Sequence, residues 1–142
     1  MISYVLGFPF SADGKRVTLI RKRRPDWQRG RLNGIGGKVE VGDVSTHEAM
    51  RREALEEAGI ERCDWEHVAT MYGKGWFMDC FASFSDAYRK LTARTDEQLE
   101  VIYTRGVLVN DSVMPNLRVL IPLALDRSGI VKPVTLYDGV PQ

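Results

Sequence analysis

Apolar positions alternate with polar ones over the first part of the chain and recur at helical spacing further on. Ile2 to Phe8 is a short β-favouring run, and Ser11-Ala12-Asp13-Gly14 supplies a turn. Arg16 to Arg23 reads as a second strand, with Val17, Leu19 and Arg21 on one face and Thr18 and Ile20 on the other. Residues 24–34 form a polar loop carrying Pro25, Trp27, Gly30 and Gly34, and Gly36 to Val41 is a brief extended segment. Ser45 to Ala58 predicts a helix: Ser45-x-x-Glu48 fits a capping box, and Gly59 fits the left-handed residue past the end. Cys63 to Tyr72 and Trp76 to Phe84 are apolar strands joined by a Gly73-Lys74-Gly75 hairpin.

Gln98 to Arg105 reads as another strand. Asn116 is expected to cap a second helix over Leu117 to Asp126, with Pro122 kinking or interrupting it. Val131 to Tyr137 closes as an edge strand, because Pro133 has no N–H for a ladder. The expected fold class is α+β, a mixed sheet packed by helices, in one domain over residues 1–142.

Composition narrows the function classes. Apolar residues make up 44% of the 142, and 20 basic side chains nearly cancel 19 acidic ones, so no global field marks a nucleic-acid or membrane binder. No apolar run approaches a membrane span, and the apolar start has neither basic lead-in nor cleavage site, so a cytoplasmic protein is expected. Cys63 and Cys80 read as buried thiols, and His47 and His67 as structural side chains, none of them spaced for metal. The local charge is uneven: Arg21 to Arg24 form a basic block, while acids gather at residues 53–57 and 96–100.

Glu53, Glu56 and Glu57 fall at i, i+3 and i+4, on one helical face. Like charges at that spacing destabilise a helix, which points to a site for a hard divalent cation. With Arg52 before them, Gly59 after them and Gly36-Gly37-Lys38 upstream, they resemble the signature of the Nudix hydrolases. Gly37 and Asp43 take the first two signature positions, and Arg52 to Gly59 supply the rest. Asp43 stands where the family has glutamate, and the stretch from it to Arg52 is one residue longer.

The resemblance implies a Nudix fold, a mixed sheet between helices in an α/β/α sandwich. It also implies Mg²⁺, with Mn²⁺ as a substitute, held by Glu53, Glu56, Glu57 and the Gly37 carbonyl. Arg52 is then expected to position the glutamates. Glu97, in the Thr95-Asp96-Glu97 loop, resembles the family's loop glutamate and is the candidate fourth ligand or general base, ahead of Asp96 and Glu100.

The stretch Arg21 to Lys38 resembles the branch acting on oxidised purine nucleoside triphosphates. By that resemblance Asn33 meets the base, Trp27 stacks on it or anchors its loop, and Arg23 and Lys38 meet phosphate. The two base-reading aspartates of that branch are Asn116 and Leu117 here, which changes the hydrogen-bond pattern offered to a base. The expectation is a Mg²⁺-dependent pyrophosphohydrolase converting a nucleoside triphosphate to monophosphate and pyrophosphate. A small-molecule nucleotide is the expected partner, and a homodimer is left open.

Two alternatives stand beside it. A nucleotide sugar or dinucleoside polyphosphate could be the substrate, although the few residues before the first strand argue mildly against the former. A non-catalytic nucleotide sensor is the other, and retention of all three glutamates argues against that.

Overall fold

A computed structural model describes residues 1–61 and 63–139. The long β1 (Ile2–Phe10) runs through the middle of an eight-stranded mixed sheet and is parallel to β6 (Trp76–Phe84) along its whole length. On its other side β1 meets two partners. β4 (Ile35–Lys38) lies antiparallel to Tyr4–Gly7, and β2 (Arg16–Arg21) joins at Phe10. β2 also carries β3 (Leu32–Asn33) and β7 (Leu99–Tyr103). β5 (Glu66–Gly73) pairs with β6 as the expected hairpin, and β8 (Val134–Tyr137) lies parallel to β5 at the edge.

Alternation along β1 assigns the two faces. Val5 packs with Ile35, Ala49, Met50, Ala54 and Phe81 beneath α1 (Thr46–Ala58), whereas Leu6, Phe8 and Phe10 pack with Leu117, Leu120 and Ile121 of α2 (Leu117–Leu125). The sheet is thus covered by a helix on each face, as expected.

Both ends of α1 follow the sequence signals, with one adjustment. Ser45 is extended and accepts the Glu48 N–H at 3.2 Å, but the Glu48 carboxylate reaches the Val44 N–H and not that of Ser45. Gly59 enters the left-handed region (φ 69°), and its N–H folds back on the Leu55 carbonyl at 3.0 Å.

α2 departs further from expectation. Asn116 does not cap it: its backbone is already helical (φ −64°, ψ −22°), because the turn starts earlier, with Leu117 N–H on the Met114 carbonyl. The helix also continues through Pro122 to Leu125, so the proline lies near its end and does not interrupt it at once. Elsewhere the polar loop contains a 3₁₀ turn at Asp26–Gln28 and the short β3. Cys63 is half-buried and Cys80 buried, both free thiols.

The glycine strand β4 sits unusually close to β1. A Cβ on Gly36 would fall 2.0 Å from the Val5 carbonyl oxygen, and that neighbour is backbone. Gly36→Ala is therefore expected to lose about 1–3 kcal/mol or more in a denaturant titration. Gly42→Ala, where nothing lies within 4 Å, is the matched control. Equal stability of the two variants would show that β4 can shift away from β1.

Candidate active site

α1 lays its glutamates along β4, and the three do not converge equally. Glu53 is buried, and its Oε1 lies where a Cβ on Gly37 would be only 2.6 Å away. Glu57 lies one turn further on, with the Gly36 N–H donating to its Oε2 at 3.4 Å. Burial first, and then the neighbouring Glu53 carboxylate, push the Glu57 carboxyl up to about 8. Glu56 turns outward, with its side chain 55% exposed, and pairs with Arg52 at 3.2 Å. Among the described residues no three acidic, histidine or cysteine side chains already form a ligating cluster.

The Glu53–Glu57 pair still fits a divalent cation. Two carboxylates crowd one buried spot beside a backbone kept bare of side chains at Gly37. A hard cation with oxygen ligands is the partner that such a donor set lacks.

Arg52 organises this face. Its Nε and Nη2 grip both Asp43 oxygens at 3.0 and 2.9 Å, while Nη1 donates to Glu53 at 3.0 Å and to Glu56 at 3.2 Å. Nη2 also donates to the Lys38 carbonyl at 3.3 Å. The Arg52 guanidinium, followed by the Glu40 N–H, holds Asp43 below the usual carboxylate range. The shorter acid at position 43 thus serves as an anchor for arginine.

Glu97, expected as fourth ligand or general base, engages both of its oxygens within the protein. Its Oε1 pairs with Lys22 Nζ at 3.0 Å and its Oε2 accepts the Arg23 N–H at 2.6 Å. Burial opposes its charge, yet those two partners outweigh burial and keep Glu97 below the ordinary range. With both oxygens engaged, Glu97 tethers the loop and presents Lys22, which faces the cleft and acts electrostatically on Glu57. Arg23 points away, 60% exposed, and pairs with Asp96 at 3.3 Å. Asp96 also binds Arg24, and Glu100 is paired with Arg21.

The cleft itself, about 500 Å³, is floored by β1 and by Gly34, Gly36 and Gly37. It brings together Trp27, Asn33 and Asn116 of the expected residues, whereas the Lys38 side chain does not line it. Trp27 is 68% exposed, so it is no anchor packed on the sheet. Asn33 is locked, accepting the Gly34 N–H at 2.9 Å and donating to Gln28 Oε1 at 3.1 Å. Lys22, Gln28, Trp76 and Asp138 also line the cleft, and none of the four is among the site residues expected from the sequence. Period-two alternation past Thr18 and Ile20 would have found Lys22; the others carry no local signal.

His47 and His67 flank the Phe81 ring, with centroids 4.7 and 5.1 Å away, away from the cleft. His67 lies 3.2 Å from Asp79, and His47 bonds the Trp65 carbonyl at 3.1 Å.

Comparison with solved structures yields similar chains over nearly the whole molecule. A MutT described from the fish pathogen Aliivibrio salmonicida and the mesophile Vibrio cholerae is 25% identical, with TM-score 0.69, covering 87% of this chain and 96% of its own. The ORF135 protein of E. coli is 28% identical, with TM-score 0.63 and 87% of each chain covered. The NUDIX domain of NrtR from Shewanella oneidensis, solved with ADP ribose, is 17% identical with TM-score 0.75, covering 89% of this chain and 88% of its own. No curated protein sequence matches significantly. The family model described as the NUDIX domain matches residues 3–116, which takes in the Gly37–Gly59 signature and every residue lining the cleft but Asp138. By that match, and by the α/β/α sandwich around the glutamate helix, the chain belongs to the Nudix hydrolase family.

Proposed function

We propose that this chain hydrolyses a nucleoside triphosphate to the monophosphate and pyrophosphate in a Mg²⁺-dependent reaction. One observation carries the reading. A single cleft joins aromatic and amide side chains, Trp27, Asn33 and Asn116, to the Gly36–Gly37 backbone that overlies Glu53 and Glu57. A base at the first end leaves its phosphates at the second.

Glu53, Glu57 and the Gly37 backbone would hold the cation, with Glu56 available from the same helix. Mg²⁺ when bound neutralises phosphate charge and activates water toward phosphorus. The chain's own groups do the rest. Lys22, fixed by Glu97, offers a positioned ammonium to the phosphates, and Arg52 keeps Glu53 and Glu56 from drifting apart. Without a cation the Glu57 carboxyl is pushed up to about 8, so holding one as a carboxylate means giving up that proton.

The test is a panel of nucleoside triphosphates, nucleotide sugars and dinucleoside polyphosphates with Mg²⁺, and with chelator added, products being resolved. Pyrophosphate and monophosphate from a triphosphate, abolished by chelator, are expected. Exclusive cleavage of nucleotide sugars would sink the triphosphate reading, and binding without turnover of any member would favour a sensor.

A further inference from the structure

Outside the cleft, β6 carries a buried carboxylate that the proposed chemistry does not use. Asp79 is 8% exposed, and three polar side chains converge on it. Thr46 Oγ1 donates to its Oδ2 at 2.7 Å, Thr70 Oγ1 donates to Oδ1 at 2.6 Å, and His67 Nε2 lies 3.2 Å from the same Oδ1. Thr70 and His67 come from β5, the neighbouring strand, whereas Thr46 is the first residue of α1. The carboxylate therefore joins the sheet to the start of the glutamate helix, at the end where the peptide dipoles favour negative charge.

Strand register carries this joint to the candidate site. Asp79 stands beside Val5 of β1, and Val5 beside Gly37 of β4, so one row crosses the sheet from Asp79 to Gly37. Two strand spacings make that row about 9.6 Å long. On α1, Thr46 and Glu53 are seven residues apart. Two turns separate them, which puts them on one face about 10.5 Å apart. The helix matches the row. Thr46 bonds Asp79, Ala49 and Met50 pack with Val5, and Glu53 lies against Gly37. One turn further on, Glu57 receives the Gly36 N–H.

We propose that Asp79 is a positioning residue of the candidate active site. By holding Thr46 it fixes how α1 lies along the row, and so where Glu53 and Glu57 stand over Gly37 and Gly36. The role rests on the reading that those groups hold a divalent cation. Apolar packing of Ala49 and Met50 keeps the helix on the sheet without setting its register sharply. A hydrogen bond to a carboxylate has both a direction and a length. A slip of one residue would carry Glu53 about 1.5 Å along and about 100° around the helix, off the glycine.

The test needs no turnover. Thr46→Val removes the hydroxyl at nearly constant volume, and Thr46→Ser keeps it. Thr18→Val is the control on β2, removing a comparable hydroxyl bond to the Tyr88 carbonyl at 2.7 Å. The Gly36 and Gly37 amide resonances are followed by NMR, first without metal and then with Mn²⁺, whose unpaired electrons broaden nearby signals. Thr46→Val is expected to shift both glycine signals and to weaken Mn²⁺ binding about tenfold or more. Thr46→Ser should keep the parent's signals and an affinity within about threefold of it. Thr18→Val should leave signals and affinity as in the parent, whatever stability it loses in a denaturant titration. Thr46 is partly exposed, which keeps its variants folded.

Unmoved glycine signals in Thr46→Val, an Mn²⁺ affinity equal to the parent's, or serine as impaired as valine would each overturn the proposal. So would an equal loss of affinity in Thr18→Val, since Asp79 would then contribute general stability alone. Failure here is distinguishable from failure of the cation reading. A parent that binds Mn²⁺ no better than Thr46→Val refutes only the positioning role, whereas a parent whose glycine signals ignore Mn²⁺ refutes both.

Discussion

Glu57→Gln is expected to lower kcat by about 10²-fold or more while leaving the fold intact. The side chain is half-buried beside Glu53 and receives one long hydrogen bond, from Gly36 N–H. Gln preserves its shape and removes a cation ligand. Steady-state turnover with Mg²⁺ is the measurement, and a variant as active as the parent would exclude Glu57 from the chemistry.

The same substitution has a signature in stability without added cation. In the folded protein Glu57 keeps its proton to about pH 8, whereas the ordinary value is 4.5. Between those limits the folded state binds more protons than the unfolded one, so the parent loses stability as pH rises through the window. Below about 4.5 the contribution is fully present, and above about 8 the loss levels off. Glu57→Gln lacks that slope. Its advantage over the parent should therefore grow from acid toward pH 8, reaching on the order of a few kcal/mol. Parallel pH profiles of thermal unfolding would show that the carboxyl titrates normally.

The second large effect is expected at Arg52. Replacement by Met removes the shared partner of Asp43, Glu53 and Glu56 and leaves those acids facing one another. Breaking these pairs from one side lowers stability, and losing the brace on the ligand helix costs about 10–100-fold in metal affinity. Arg52→Lys should recover little of either, because an ammonium cannot grip both Asp43 oxygens while reaching Glu53. Chemical denaturation and Mg²⁺ titration read the two effects separately. Full rescue by lysine would mean that charge alone, without the fork, sets the site.

Much of this was legible in the chain because it is local. Ser45, Glu48 and Gly59 mark the ends of α1 within a turn or two, and the Gly73–Gly75 hairpin is set by its own residues. The i, i+4 spacing brings Glu53 and Glu57 to one place whatever surrounds the helix. Asn116 shows where local reasoning stops. Its capping preference is real, but Met114 is held by the Leu32 carbonyl, and the turn begins before Asn116 can act. Likewise, nothing near Arg23 in the chain predicts that Asp96, from a distant loop, draws its side chain out of the cleft.

The amino-acid order by itself determined α1 with its end signals, the β5–β6 hairpin, the paired carboxylates and the family, since each depends on neighbours a few residues apart. Tertiary packing decided that Gly37 lies against Glu53, and that Glu97 meets Lys22 and the Arg23 N–H. Those outcomes rest on which distant side chain arrives first to satisfy a charge, and a contact across the sheet leaves no periodic trace along the chain.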